Sequence, residues 1–256
     1  MNRLNKLFET KKKDILSIYF TAGHPNLNDT VTVIESLEKN GVDFIEIGMP
    51  FSDPVADGQV IQQSSLKALT NGMSVRLLFE QLKDIRAKIQ LPLILMGYIN
   101  PVMQFGIENF CHKCQEVGID GLILPDLPLD EYEDNYQAIF EKYGIKNILL
   151  ITPQTSEERI RRIDAATDSF IYMVSSSATT GAKQNAHDFA VDYFERVKQM
   201  KLKNPRIIGF GISNKETFTN ACKYASGAII GSAFVRHIGD SGVSSESIAN
   251  FIKGVR

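Results

Sequence analysis

The stretch Ile15-Leu16-Ser17-Ile18-Tyr19-Phe20-Thr21-Ala22-Gly23-His24-Pro25 decides between two folds. Its apolar half, Ile15–Phe20, reads as a buried strand, and Gly23 and Pro25 mark the turn that ends it. In an open doubly wound sheet the first strand commonly runs into a GxGxxG loop that holds a nucleotide. Tyr19-Phe20-Thr21-Ala22-Gly23-His24-Pro25 lacks that spacing. Seven further apolar runs follow: Phe44–Ile47, Leu93–Met96, Gly121–Leu124, Asn147–Ile151, Phe170–Val174, Arg206–Gly209 and Ala228–Ile230. Several lack polar alternation, as parallel strands under a layer of helices should. Amphipathic stretches separate them: Leu27–Lys39, Ser74–Ile89 with Leu77, Leu78, Leu82, Ile85 and Ile89 on one face, a segment capped by Ser156, Asp188–Met200 and Lys215–Lys223. Repeated β-then-α order implies parallel strands with helical crossovers. Eight such units predict an α/β fold, a (β/α)8 TIM barrel with an additional N-terminal helix over Asn2–Lys13 and residues 1–256 as a single catalytic domain. The connections after Ile47 and after Val174 are longer than a crossover needs, which places chemistry there.

The totals exclude several classes. A chain of 256 residues that is 43% hydrophobic and 23% charged is an ordinary globular protein, not a disordered one. A formal net charge of −2, with no basic run longer than Lys11–Lys13, offers nucleic acid no positive face. That run reads as a solvated helix end. No stretch approaches the roughly 18 apolar residues of a membrane span, and the amino end lacks a signal-peptide core, so the expected location is cytoplasmic. Cys111 and Cys114 have a CxxC spacing that zinc or redox chemistry uses, but no second pair follows, and the helical pattern of Ile107–Val117 makes them core residues.

Glu46 stands inside the apolar run Phe44-Ile45-Glu46-Ile47, near its carboxyl end. Carboxylates are rarely buried. Surrounded by apolar neighbours, this one would hold its proton more tightly and suit proton transfer near neutral pH. The other reading is a solvated carboxylate or a structural ion pair, and the sequence supports the two readings equally. Asp53 and Asp57 follow in a loop punctuated by Pro50, Pro54 and Gly58; one could bind substrate while the other caps the loop. A metal site built from these acids is the weaker reading, because no histidine is near and no metal-loop spacing occurs.

Two glycine-bearing segments, Gly209-Phe210-Gly211-Ile212-Ser213-Asn214 and Gly231-Ser232-Ala233, each follow a strand and open a helix. Barrels commonly seat phosphate there, on free backbone N–H groups and a helix dipole, and Ser213 or Ser232 adds a hydroxyl. Ser175–Gly181 has the composition of a loop that closes over substrate or of a surface link, and Tyr172 reads as a pocket residue or a core tyrosine.

The chain closely resembles the tryptophan synthase alpha subunit family over essentially its whole length. The resemblance rests on Ile45–Gly58 continued by Ile61-Gln62, and on Thr21-Ala22-Gly23, Leu95-Met96, Asn100-Pro101, Pro125-Asp126, Gly209–Ser213 and Gly231–Ala233. It implies a lyase that cleaves indole-3-glycerol phosphate to indole and glyceraldehyde 3-phosphate. By position it makes Glu46 and Asp57 catalytic, with Glu46 exchanging protons and Asp57 holding the indole N–H. It assigns Tyr172, Phe20, Gly181, Gly211, Gly231 and Ser232 to substrate binding, and no metal. It implies no cofactor in this chain. It also implies a beta subunit that carries pyridoxal phosphate, receives indole through a tunnel and assembles as an alpha-beta-beta-alpha heterotetramer, docking on the Asp53–Asp57 loop and near Asn100-Pro101. The chain departs from the family pattern at His24, at Gly97, at Ile99 and at Ser176, where an arginine is usual.

Overall fold

The β-branched and leucine-rich runs are drawn into parallel strands, and the computed structural model describes residues 2–175, 186–209 and 211–256, with backbone alone at 186–190. Among them are β1 (Ile15–Thr21), β2 (Phe44–Gly48), β3 (Leu93–Met96), β4 (Gly121–Ile123), β5 (Lys146–Asn147), β6 (Leu149–Ile151), β7 (Ile171–Val174), β8 (Arg206–Gly209) and β9 (Gly227–Ile230). Their order in the sheet is β5-β4-β3-β2-β1-β9-β8-β7-β6. The two ends of that order are consecutive in the chain, with Ile148 alone between them. Lys146 and Asn147 pair with β4, while Leu149–Ile151 pair with β7. The Ile148 N–H donates to the Leu122 carbonyl at 2.9 Å. The sheet thus closes on itself, and the single fifth strand expected over Asn147–Ile151 exists as two short pieces, each serving one neighbour. The expected (β/α)8 barrel is the fold.

Period-two alternation divides each strand between two cores. Leu16, Ile18 and Phe20 of β1 pack outward against the helices with Ile45, Ile47, Leu93 and Leu95. Ile15 and Tyr19 point into the barrel with Phe44, Ile94, Phe170, Tyr172, Ile207 and Ile229. The register sets Tyr19 beside Glu46 and Glu46 beside Ile94.

The additional N-terminal helix spans Arg3–Thr10, capped by Asn2, whose side chain accepts from the Leu4 N–H at 2.9 Å. It closes the amino end of the barrel. Leu4 and Phe8 belong to the inner core, and the Phe8 ring lies 5.5 Å from Phe170 and 6.4 Å from Phe44. Asp120, buried at the start of β4, ties this end together: it accepts from Arg86 at 2.7 Å, from Arg3 at 3.3 Å and from the Leu93 N–H at 3.0 Å. Lys11 is not simply solvated, since its ammonium pairs with Asp43 at 2.7 Å.

Ser156 caps the helix Glu157–Ala166, as its place before two glutamates suggests. The helix expected over Ser74–Ile89 ends at Leu82 and resumes as one turn over Ile85–Ala87, with Leu78, Leu82, Ile85 and Ile89 still buried. The long connection after β2 carries an extra helix, Gln59–Thr70. Cys111 and Cys114 are both buried in the outer core, where burial pushes the Cys111 thiol up to about 12.

Truncating Phe8 empties the plug beneath the barrel. Phe8→Ala is expected to lower unfolding free energy by about 3 kcal/mol, read as a fall in the urea midpoint at unchanged slope.

Candidate functional site

Glu46 faces into the barrel from β2 and is wholly buried. Neither carboxylate oxygen has a hydrogen-bond partner among the described residues. Of the two readings open from the sequence, the ion pair is therefore absent among those residues. Desolvation alone pushes this carboxyl up to about 8, so it carries its proton at neutral pH. Above it, at the carboxyl ends of the strands, opens a pocket of about 260 Å³. Its walls are Tyr19, Ile61, Met96, Tyr172 and Ile229, with Asp57 at one side and Gly211–Ser213, Gly231–Ala233 and Arg236 at another.

Asp57 is brought in by the loop after β2, and Tyr98 fixes it there. The Tyr98 hydroxyl donates to Asp57 Oδ2 at 3.0 Å and accepts from the Ala56 N–H at 3.1 Å. The Tyr98 ring lies 5.3 Å from Phe51 of the same loop. Burial raises the Asp57 carboxyl above its ordinary range, and the Tyr98 hydrogen bond opposes that shift. Asp53 stays exposed on the rim, bonded to Ser52. The spacing left open which aspartate enters the pocket; the fold sends Asp57.

Two tyrosines line the pocket from β1 and β7, and each needs a glycine. A Cβ on Gly48 would overlap the Tyr19 hydroxyl, and a Cβ on Gly209 would overlap the Tyr172 hydroxyl. Tyr172 is buried on the inward face, and burial, then the nearby Glu46, raises its phenol well above the ordinary range.

Phe20 does not reach the pocket. It is fully buried on the outward face of β1, against the helices, because strand alternation gives the inward position to its neighbour. Tyr19, which the sequence reading passed over, occupies the place proposed for Phe20. Gly181 lies outside the described residues, as do residues 176–185 around it. Gly211, at a φ of +73°, and Gly231 and Ser232 all line the pocket.

The two glycine segments are not equivalent. The helix Lys215–Ala221 is capped internally: Asn214 accepts from the Thr217 N–H at 3.0 Å, and Thr217 Oγ1 takes the N–H groups of Ser213 at 3.0 Å and Asn214 at 3.1 Å. Those donors are spent on the protein itself. The helix Ser232–Ser241 begins at Gly231 with no side-chain cap, so its first N–H groups and its dipole face the pocket. Arg236, one turn along from Ser232, adds a positive charge at a position with no local motif to mark it.

A closed parallel barrel with an acid-bearing, anion-ready pocket at the carboxyl ends of its strands defines a β/α-barrel enzyme. The chain matches the tryptophan synthase alpha chain family over residues 5–253. It is 60% identical over 255 residues to the tryptophan synthase alpha chain of Flavobacterium psychrophilum, covering 100% of both. It is 63% identical over 235 residues to that of Bacteroides thetaiotaomicron, covering 92% of each. Among solved structures, the alpha chain of Legionella pneumophila superposes with a TM-score of 0.87 at 31% identity, over 100% of this chain and 96% of that one. A tryptophan synthase complex from Pyrococcus furiosus superposes with a TM-score of 0.86 at 34% identity, over 96% and 98%. The chain belongs to the tryptophan synthase alpha chain family, and so to the indole-3-glycerol-phosphate lyases of tryptophan biosynthesis.

A raised carboxyl pKa leaves a signature in stability. With a folded value of about 8 against an ordinary 4.5, the native state holds one more proton than the unfolded chain across that window. Stability from this group therefore falls as pH rises from about 4.5 to about 8 and then levels. Glu46→Gln removes that fall. Its Tm should exceed the wild type's by a margin that widens between pH 5 and pH 9; a constant margin would contradict the shift.

Proposed function

We propose that Glu46 and Asp57 drive the cleavage of indole-3-glycerol phosphate in a single catalytic domain over residues 1–256. The observation that carries the assignment is the buried, unpartnered carboxyl of Glu46, paired in register with the pocket residue Tyr19, next to a pocket that Asp57 lines. Breaking the bond between ring and chain requires the ring to accept electrons. Protonation at C3 of the indole makes it an iminium-like acceptor, and a carboxyl that is neutral at pH 7 can supply that proton. Asp57, held by Tyr98, accepts the indole N–H and offsets the positive charge that spreads to the ring nitrogen. Loss of the proton from the hydroxyl on the ring-attached chain carbon turns that carbon into an aldehyde. The bonding pair then returns to the ring, releasing indole and glyceraldehyde 3-phosphate. Glu46, ionised after its first transfer, is a suitable base for that proton. The indole ring serves as the electron sink, so the chain needs no cofactor for this step.

The phosphate is seated at Gly231 and Ser232, on the uncapped helix N-terminus and within reach of the charge on Arg236, with Gly211 opposite. Tyr172 packs against the bound substrate, and the family resemblance assigns Gly181, outside the described residues, to the same binding role. Other sugar-phosphate lyases use a Schiff-base lysine or a metal. Among the described residues no lysine lines the pocket, and no three His, Cys, Asp or Glu side chains gather as a metal site. A barrel serving mainly to activate a partner is the second reading, but it leaves the desolvated Glu46 without a purpose.

The partner is a beta subunit that carries pyridoxal phosphate, in an alpha-beta-beta-alpha assembly in the cytoplasm. Among the described residues, the exposed large apolar side chains are Val55, Leu66 and Met103. They sit on the Asp57 loop, the helix Gln59–Thr70 and the helix Ile99–Phe105, which follow the neighbouring strands β2 and β3. That rim also holds Asn100 and Pro101. No helix among the described residues is long and apolar enough to cross a membrane.

Purified protein should release indole from indole-3-glycerol phosphate, faster with the beta subunit added. Glu46→Gln should lower kcat by roughly 100-fold or more while leaving beta-subunit binding intact. Wild-type kcat/KM should fall as pH rises through about 8, where Glu46 loses its proton. Normal turnover by the variant would remove Glu46 from the mechanism. Gly231→Asp gives a separate reading of the phosphate seat. Aspartate is a favoured N-cap, so folding should persist, but its carboxylate would occupy the free N–H groups and repel phosphate. Substrate affinity should drop by roughly tenfold or more, and unchanged affinity would rule out this seat.

A further inference from the structure

We propose that the Tyr19 hydroxyl recognises a hydroxyl group of the substrate's glycerol chain, which makes Tyr19 a specificity-determining residue of the pocket. The inference rests on the reaction proposed above and adds the part of the substrate that neither Asp57 nor the phosphate seat reads.

Tyr19 lies between the two ends of the pocket. Its ring passes beneath the phosphate end, since a Cβ on Gly231 would sit 3.5 Å from Tyr19 Cδ1. Its hydroxyl reaches the other way, into the space left by the missing side chain of Gly48, where Asp57 and Glu46 both act on it electrostatically. A substrate with its indole N–H on Asp57 and its phosphate at Gly231 must carry its glycerol chain past this phenol.

The hydroxyl is also poorly engaged by the protein. Its partner among the described residues is Thr21 Oγ1 at 3.4 Å, longer than an ordinary O–H···O contact. Counting hydrogens fixes the direction of that contact. Ser64 Oγ donates to the Ile61 carbonyl at 2.8 Å, so the 2.6 Å contact between Thr21 and Ser64 uses the Thr21 hydrogen. Thr21 can then only accept from Tyr19. The lone pairs of the Tyr19 oxygen are left for a donor in the pocket, which only a chain hydroxyl supplies at this point along the substrate. Burial keeps the phenol protonated throughout. A phenylalanine here would fill the same wall without a polar atom.

The test compares two ligands in a Glu46→Gln background, where cleavage is slowed enough for binding to be read. One is indole-3-glycerol phosphate; the other has the same indole and phosphate joined by a plain propyl chain. Adding Tyr19→Phe should weaken the first by about tenfold and the second by less than twofold, measured by calorimetric titration. Equal weakening of both would mean that the ring alone matters and would overturn the proposal, as would no change in either. A wild-type chain that binds the substrate but does not cleave it would instead count against the reaction, so the two failures are separable.

Discussion

A carboxyl group sealed into a closed apolar barrel without a partner keeps its proton, and the site is arranged around that desolvation. Closure at Ile148 removes the sheet edges through which water would reach the inside. The N-terminal helix, with Leu4 and Phe8 against Phe44 and Phe170, stops the lower end. The two pocket tyrosines cover the upper end beside Glu46. An opening at any of these places would solvate Glu46 and return its carboxyl toward an ordinary value. The stability of the lower barrel and the proton affinity of the catalytic acid are therefore one property.

Burial raises both carboxylic acids of the site, but only Asp57 has a donor that opposes the rise. Glu46 has no hydrogen-bond partner among the described residues, so desolvation favours the neutral form. Asp57 is partly buried too, but the Tyr98 hydroxyl donates to it and favours the charged form. One group is equipped to give a proton and the other to balance a positive charge. Both lie on the same chain segment, β2 and the loop that follows it.

Most of the barrel was legible because buried parallel strands announce themselves as uninterrupted apolar runs. The division of the fifth run at Ile148 was not, since it depends on which neighbours Asn147 and Leu149 find when the sheet closes. Glu46 was legible as an acid in a run that should hold none. Phe20 was assigned to the pocket by the family resemblance, whereas the phase of alternation that Glu46 fixes through its register with Tyr19 gives the inward place to Tyr19. The segment Gly209–Asn214 resembled an anion seat because the residues that cap a helix are those that bind phosphate. Only the Asn214–Thr217 geometry reveals that part of its donors is already taken. Arg236 is one arginine in an amphipathic helix and carries no local signal. Gly181 belongs to the segment outside the described residues, and its place rests on the family resemblance.

The glycines at the ends of β2 and β8 have an evolutionary consequence. Each is the vacancy into which a phenol from the adjoining strand is inserted, so Gly48 and Tyr19, and likewise Gly209 and Tyr172, are complementary shapes. Neither glycine can acquire a side chain while its tyrosine remains, yet a smaller residue opposite would relieve the clash. Sterically, such positions can change as couples more readily than singly. Libraries built to reshape this pocket would do well to randomise each couple together, because single-site scanning would misread two adaptable walls as immutable.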